Sequence, residues 1–109
     1  VGNCLMVRRD FFENVGGYSS EWGIGYGEET DLHMKALSNN LKGVVNLSCY
    51  VYHYGGGTFN YETEIETHRL KNFQLFMSKW KNEYNELSIR CESLNPVEII
   101  DKKLERYWT

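Results

Sequence analysis

The sequence predicts an α/β fold in residues 1–60 and a helical extension in residues 61–109. Residues 2–7 are short and apolar, and residues 44–54 are rich in β-branched and aromatic residues, so a strand is expected in each segment. Short stretches with helical spacing lie between them, and from Glu62 onward long, charged, helix-forming residues dominate. The chain is therefore divided near residue 60, with no internal repeat.

The amino-terminal part is expected to begin with a strand and a short helix. The strand, residues 2–7, ends at the charged pair 8–9. Residues 10–15 place apolar side chains at helical spacing, and the two glycines at 16–17 close this helix in the left-handed conformation.

A second helix is expected from Glu28 to about Asn39, because its acidic first turn complements the positive end of the helix dipole. Residues 44–54 follow as one strand, or as two strands interrupted near 46–48. The glycine run at 55–57 then breaks regular structure.

The carboxyl-terminal part is expected to be helical throughout. An apolar stripe with residues three or four apart defines its first helix: Phe73, Phe76, Met77, Trp80, Tyr84 and Leu87. Asn95 as cap, Pro96 at the first position and Glu98 at the third predict a further helix start.

Size and charge limit the classes of function. With 109 residues, the chain is one domain or part of one, and it has no room for a second catalytic domain. The net charge of −3 and the scattered basic residues give no nucleic-acid footprint, so we expect no nucleic-acid partner.

The cysteine count and the apolar runs bear on location. Three widely separated cysteines argue against a disulfide framework and favour a reducing, cytoplasmic compartment. No apolar run approaches the roughly 18 residues that span a bilayer, so any membrane association is expected to involve parts outside this chain. Because the chain opens on Val1 rather than Met, we expect it to be a piece of a longer protein.

The most informative stretch is a glycine-aromatic loop, residues 18–27, that runs into three carboxylates at a helix start. Its glycines permit positive φ and close approach to a ligand, and Trp22 and Tyr26 offer flat faces of the kind that stack on a sugar ring. A carboxylate at such a place can act as a general base toward a hydroxyl group. Two alternatives remain open: the acidic residues simply cap a helix, and the two aromatics belong to the core.

A second candidate site is His53, at the end of the predicted strand and just before the glycine run. This placement suits binding of a metal ion or a diphosphate. The alternative is a buried histidine that is hydrogen-bonded at a strand end.

These motifs, in this order, resemble those of inverting glycosyltransferases with the nucleotide-sugar-binding fold called GT-A. The likeness is to family 2 enzymes and to the galactosyltransferase carboxyl-terminal segment. Residues 22–31 match a Trp-Gly-x-Gly-x-Gly-Glu-Asp/Glu-x-Asp motif, and residues 52–59 match Tyr-His-x-Gly-Gly-Gly-Ser/Thr-Phe. The resemblance covers residues 2–59 well and 60–80 loosely, where Asn72, Lys79 and Trp80 echo a later family element.

The resemblance implies a fold and a set of site residues. The fold would be the acceptor-side half of a GT-A domain with a helical extension, and Glu29 would be the catalytic base. Residues that would bind the acceptor are Trp22, Gly25, Tyr26, Gly27, Glu28 and Asp31. His53 would be a shared ligand of Mn²⁺ or Mg²⁺, facing the same cleft as Glu29.

The resemblance also implies partners that this chain does not supply. The substrates would be a nucleotide-sugar donor and a glycan or other hydroxyl acceptor, with the donor held by an upstream nucleotide-binding half. No Asp-x-Asp pair occurs in the chain, so we expect the fragment alone to be inactive. The rival prediction is a non-catalytic carbohydrate-binding or interaction module.

Overall fold

A computed structural model describes residues 4–54 and 62–92, and their regular structure is helical. The elements in chain order are helix α1 (Arg9–Asn14), a single 3₁₀ turn (Ser20–Trp22), helix α2 (Glu28–Ser38) and helix α3 (Glu62–Glu92). Helix accounts for 59% of the described residues, which contain no strand. The predicted helix start at 95–98 and the glycine run at 55–57 lie outside these ranges.

The predicted α/β architecture, and with it the partial GT-A fold, is wrong for the described residues. Neither 4–7 nor 44–54 forms a strand, and within the described ranges no backbone hydrogen bond joins residues 43–54 to another segment. The side chains of residues 43–54 are exposed, as Val44 at 88% shows. A β-branched sequence becomes a strand only when a neighbouring strand accepts its hydrogen bonds and a packed face covers its side chains. The described residues provide neither.

The helices predicted over residues 10–15 and 28–39 are confirmed as α1 and α2. α1 ends as expected, since Gly16 and Gly17 both have positive φ, at 78° and 66°. Gly17 is required there for a further reason: a Cβ atom at this position would lie 3.1 Å from the ring of Phe12.

The chain divides into two compact units, residues 1–78 and residues 79–109, and the division near residue 60 stays a prediction. The buried apolar side chains of the described residues all belong to the first unit: Phe11, Trp22, Leu32, Met34 and Phe76. Two polar side chains, Asp31 and Asn72, are buried with them. The first unit therefore carries the core that supports the glycine-aromatic loop.

Within the first unit, the buried face of α3 is shifted from the predicted stripe and shares Phe76 with it. Phe73, which begins the predicted apolar stripe, is 57% exposed, whereas Asn72 and Phe76 are buried. His68 lies one turn before Asn72 on the same face of the helix. In the described ranges no helix has both the length and the apolar character needed to cross a membrane.

Candidate ligand-binding site

The backbone of the glycine-aromatic loop is held in an unusual conformation. Gly23, Gly25 and Gly27 have φ angles of 63°, 122° and 137°, and Tyr26, which carries a side chain, has a φ of 66°. The left-handed region costs an ordinary L-residue roughly 1–2 kcal/mol. Such a conformation persists only where surrounding contacts hold it.

Two side chains of α3 supply those contacts. The Nδ2 amide of Asn72 donates to the carbonyl oxygens of Trp22 and Gly25, at 2.9 and 2.7 Å. His68 Nε2 lies 3.1 and 3.0 Å from the same two oxygens. Because carbonyl oxygens only accept hydrogen bonds, the tautomer of His68 that can bond to them is the one with a proton on Nε2, which also lies 3.1 Å from Asn72 Nδ2. His68 and Asn72, one turn apart on α3, therefore hold the loop backbone at Trp22 and Gly25.

Packing of Trp22 fixes the end of the loop. The indole is 1% exposed, and a Cβ atom at position 27 would lie only 2.7 Å from its ring. Glycine at position 27 is therefore required for this tryptophan to be buried. The ring faces the interior, so it supports the loop from beneath and leaves contact with a ligand to other residues.

Two aromatic side chains of the loop reach solvent, Tyr18 and Tyr26, and Tyr26 is the one in the motif. Its side chain is 37% exposed, and the Arg69 guanidinium carbon lies 5.5 Å from the ring centroid, within the range of a cation–π contact. Arg69 also pairs with Glu66 on α3, at 3.5 Å. A sugar that stacks on Tyr26 would do so beside this cation.

The three carboxylates at the start of α2 have different environments. Asp31 is buried and forms an ion pair with Lys35 at 3.0 Å, so its charge is used inside the fold. Glu28 packs against Gly25, where a Cβ atom would lie 3.3 Å from its Oε1. Among the described residues, the buried Oε2 of Glu28 has no hydrogen-bond partner. Glu29 is half-buried, and its carbonyl oxygen lies 2.7 Å from His33 Nδ1.

Tyr18 is a further member of this site that the sequence did not indicate. Its ring packs edge-on against Phe12, with centroids 5.3 Å apart. Partial burial, followed by the negative charges of Glu28 and Glu29, raises the pKa of Tyr18 above its ordinary value of 10.0. The phenol therefore lies within electrostatic range of both carboxylates.

His68, Asn72 and Arg69 were also missed as site residues. The available signal was a polar pair four residues apart on one face of a helix, one turn before a buried phenylalanine. What such a pair contacts depends on a segment more than 40 residues away, as the separations of 43 to 50 residues show. Sequence spacing alone does not give that contact.

His53 lies in the irregular segment before the glycine run and is exposed. The described residues include no group of three His, Cys, Asp or Glu side chains that could hold a metal ion, whereas Mn²⁺ and Mg²⁺ prefer about six ligands. These residues by themselves do not fit the ion. A shared His53 site and a cleft common to His53 and Glu29 stay predictions.

No protein-family model matches the chain, and no curated protein or solved structure is significantly similar to it. The likeness to glycosyltransferases is therefore carried by the sequence motifs alone.

Proposed function

We propose that residues 18–31 form the acceptor-binding surface of a glycosyltransferase that transfers a sugar from a nucleotide-sugar to a hydroxyl group with inversion. The observation that carries the proposal is the attachment of the glycine-aromatic loop to His68 and Asn72. This attachment sets a solvent-exposed aromatic ring and two carboxylates in one short segment.

Preorganisation is what a sugar-binding loop needs. A loop that is ordered before its ligand arrives avoids the entropy cost of ordering at that moment. Here four short contacts from two side chains hold the carbonyl oxygens of Trp22 and Gly25. The strained φ of Tyr26 is then a conformation that the fold maintains at a place where a ligand can reach the ring.

The carboxylates divide into one structural and two functional groups. Asp31 neutralises Lys35 inside the fold, which leaves Glu28 and Glu29 for a ligand. The Oε2 of Glu28 is buried without a hydrogen-bond partner among the described residues, so a rotation of this side chain would bring it to an acceptor-sugar hydroxyl. Glu29 takes the part of the base, as the motif implies, and Asp31 contributes by holding the first turn of α2.

The proposed reaction is a single displacement. The acceptor oxygen forms a bond to the anomeric carbon of the donor while the bond from that carbon to the nucleoside diphosphate breaks. The hydroxyl proton passes to Glu29 late in this step. The donor site belongs, in this proposal, to an upstream part of the same protein.

Binding of the acceptor is tested on this chain alone by NMR titration with a panel of neutral mono- and oligosaccharides. We expect shifts in residues 18–31, and we expect Tyr26→Ala to weaken binding about tenfold, the effect of losing one stacking ring. Tyr50→Ala removes a ring that is 90% exposed in the irregular segment and is the matched control. Equal loss in both variants, or no shift in this region with any sugar, contradicts the proposal.

Turnover is tested in the full-length protein. Glu29→Gln keeps the shape of the side chain but cannot accept a proton, so we expect a loss of about 10²–10⁴ in kcat with donor binding retained. Glu83→Gln, an exposed carboxylate of α3, is the control and should leave kcat unchanged. If Glu28→Gln is inactive while Glu29→Gln is not, the base is Glu28. If sugar binds but both variants stay active, the segment is a carbohydrate-binding module.

A further inference from the structure

A cavity of about 210 Å³ lies in the first unit, at a place that the proposed function does not use. Its walls come from residues 5–8, from Phe11 of α1, from three residues of α2 and from residues 41–44. None of residues 18–31 lines it, so it is distinct from the acceptor surface.

The size and the walls of the cavity suit an apolar ring body. Phe11 and Leu32, which line it, are buried core residues, and Leu5, Ala36 and Leu41 add further apolar surface. The cavity is open to solvent, since Met6 and Val44 in its wall are 97% and 88% exposed, and its volume is sufficient for a small ring system.

The charge of the lining is of one sign. Its ionisable residues are Arg8, His33 and Lys42, and no carboxylate lines the cavity, although the whole chain has 15 acidic and 12 basic residues. Arg8 donates to both carboxylate oxygens of Asp10 in an exposed ion pair, so an anionic ligand would share this guanidinium with Asp10. The cavity therefore combines an apolar interior with cationic groups in an otherwise acidic chain.

His33 adds a directional group. The Nδ1 of His33 lies 2.7 Å from the carbonyl oxygen of Glu29, so Nε2 is the ring nitrogen that a ligand can contact. Nε2 lies 3.7 Å from the position of a Cβ atom on Gly43, another lining residue. A ligand with a polar group at this wall can hydrogen-bond to it.

We infer that this cavity is a second binding site, for a small aromatic anion such as an aryl carboxylate. The ring fills the apolar interior and the carboxylate faces Arg8 and Lys42. This inference does not depend on sugar transfer, because it uses none of the acceptor-surface residues.

The test is an NMR titration of the full chain with 2-naphthoate and, as the matched neutral probe, 2-naphthalenemethanol. We expect naphthoate to bind about tenfold more tightly than the alcohol and to shift residues 5–8, 32–36 and 41–44. Lys42→Gln should weaken naphthoate a few-fold, the effect of one exposed ion pair, and leave the alcohol unchanged. Lys71→Gln, an exposed lysine of α3 that does not line the cavity, should change neither.

Filling the cavity provides the second arm. Ala36→Leu adds a larger side chain at a half-buried helical position, and leucine forms helix nearly as well as alanine. We expect both probes to lose binding while the circular dichroism spectrum and sugar titration stay unchanged. Equal affinity for the two probes, shifts centred elsewhere, or undiminished binding to a folded Ala36→Leu variant overturns the inference.

Discussion

Two irregular segments of the first unit, the glycine-aromatic loop and residues 43–54, contain similar aromatic residues but differ in how they are held. In the loop, Trp22 is buried, and side chains from α3 donate to the backbone. In residues 43–54 the contacts are local: Asn46 Oδ1 accepts from the Ser48 amide, and the rings of Tyr52 and Tyr54 meet edge-on. Every described side chain of the latter segment is exposed.

The difference shows what orders an irregular backbone. A hydrogen bond contributes about 1 kcal/mol net, but a buried carbonyl oxygen without a partner costs about 1–3 kcal/mol. The loop has distant side chains that satisfy its carbonyl oxygens and a ring that excludes water from beneath it. Residues 43–54 have strong β-propensity and no such partner, so propensity alone leaves them without regular structure.

The largest contrast is expected between glycine substitutions in the two segments. Gly27→Ala places a methyl group 2.7 Å from the Trp22 ring at a φ of 137°, so strain and overpacking together should cost about 2–4 kcal/mol. Gly43→Ala meets its neighbour, His33, at an ordinary 3.5 Å and should change stability by less than about 0.5 kcal/mol. Urea unfolding followed by tryptophan fluorescence measures both.

Gly16→Ala separates the two causes in this comparison. Gly16 has a φ of 78° with nothing within 4 Å of its Cβ position, so the alanine there reports conformational strain without a clash. Its loss should lie between those of the other two variants. If Gly27→Ala is as mild as Gly43→Ala, Trp22 is not packed as described.

A smaller difference in stability loss is expected between substitutions of two asparagines that each hydrogen-bond to the backbone of an irregular segment. Asn72→Ala removes a buried amide and leaves the carbonyl oxygens of Trp22 and Gly25 to His68, at a cost of about 1–3 kcal/mol. Asn46→Ala removes an exposed bond to the Ser48 amide, which water replaces, and should cost less than about 0.5 kcal/mol. Thermal unfolding of both variants checks the ratio. Equal losses of stability would mean that the Asn72 hydrogen bonds to the loop contribute no more than a hydrogen bond in a surface turn.

The sequence predicts the helices better than it predicts the site. The glycine pair that ends α1 and the acidic turn that begins α2 are local signals, and local signals decide helix ends. The predicted strand at 44–54 failed because pairing is not local. A strand needs a partner, and composition does not say whether one is present.

The candidate site was predictable in its location and not in its construction. Glycines at 23, 25 and 27 do adopt the positive φ that the motif suggested. Burial of Trp22 and the contacts of Asn72 both depend on how α3 packs against the loop. These are tertiary contacts, so the sequence carries only their residue types.

The smallest expected effect tests whether the loop and the first turn of α2 share one electrostatic environment. The pKa of Tyr18 is raised above 10.0 by partial burial and by Glu28 and Glu29. The difference between spectroscopic titrations of the parent chain and of Tyr18→Phe should therefore show a phenol that loses its proton at a pH above 10.0. Glu28→Gln and Glu29→Gln should each lower that pKa. The same subtraction with Tyr50→Phe, a ring that is 90% exposed, provides the comparison from residues 43–54.

The sign of the accompanying stability change follows from the direction of the shift. A phenol whose pKa is higher in the folded state than in the unfolded state stabilises the fold fully below about pH 10, and this contribution is lost as pH rises through the folded-state value. Tyr18 is 47% exposed, so solvent screens most of the effect and the titration is the sensitive measurement. If the pKa of Tyr18 equals that of Tyr50 and changes in neither glutamate variant, the Tyr18 hydroxyl does not face the carboxylates. Tyr18 would then have no part in the acceptor surface, which would rest on Tyr26, Glu28 and Glu29.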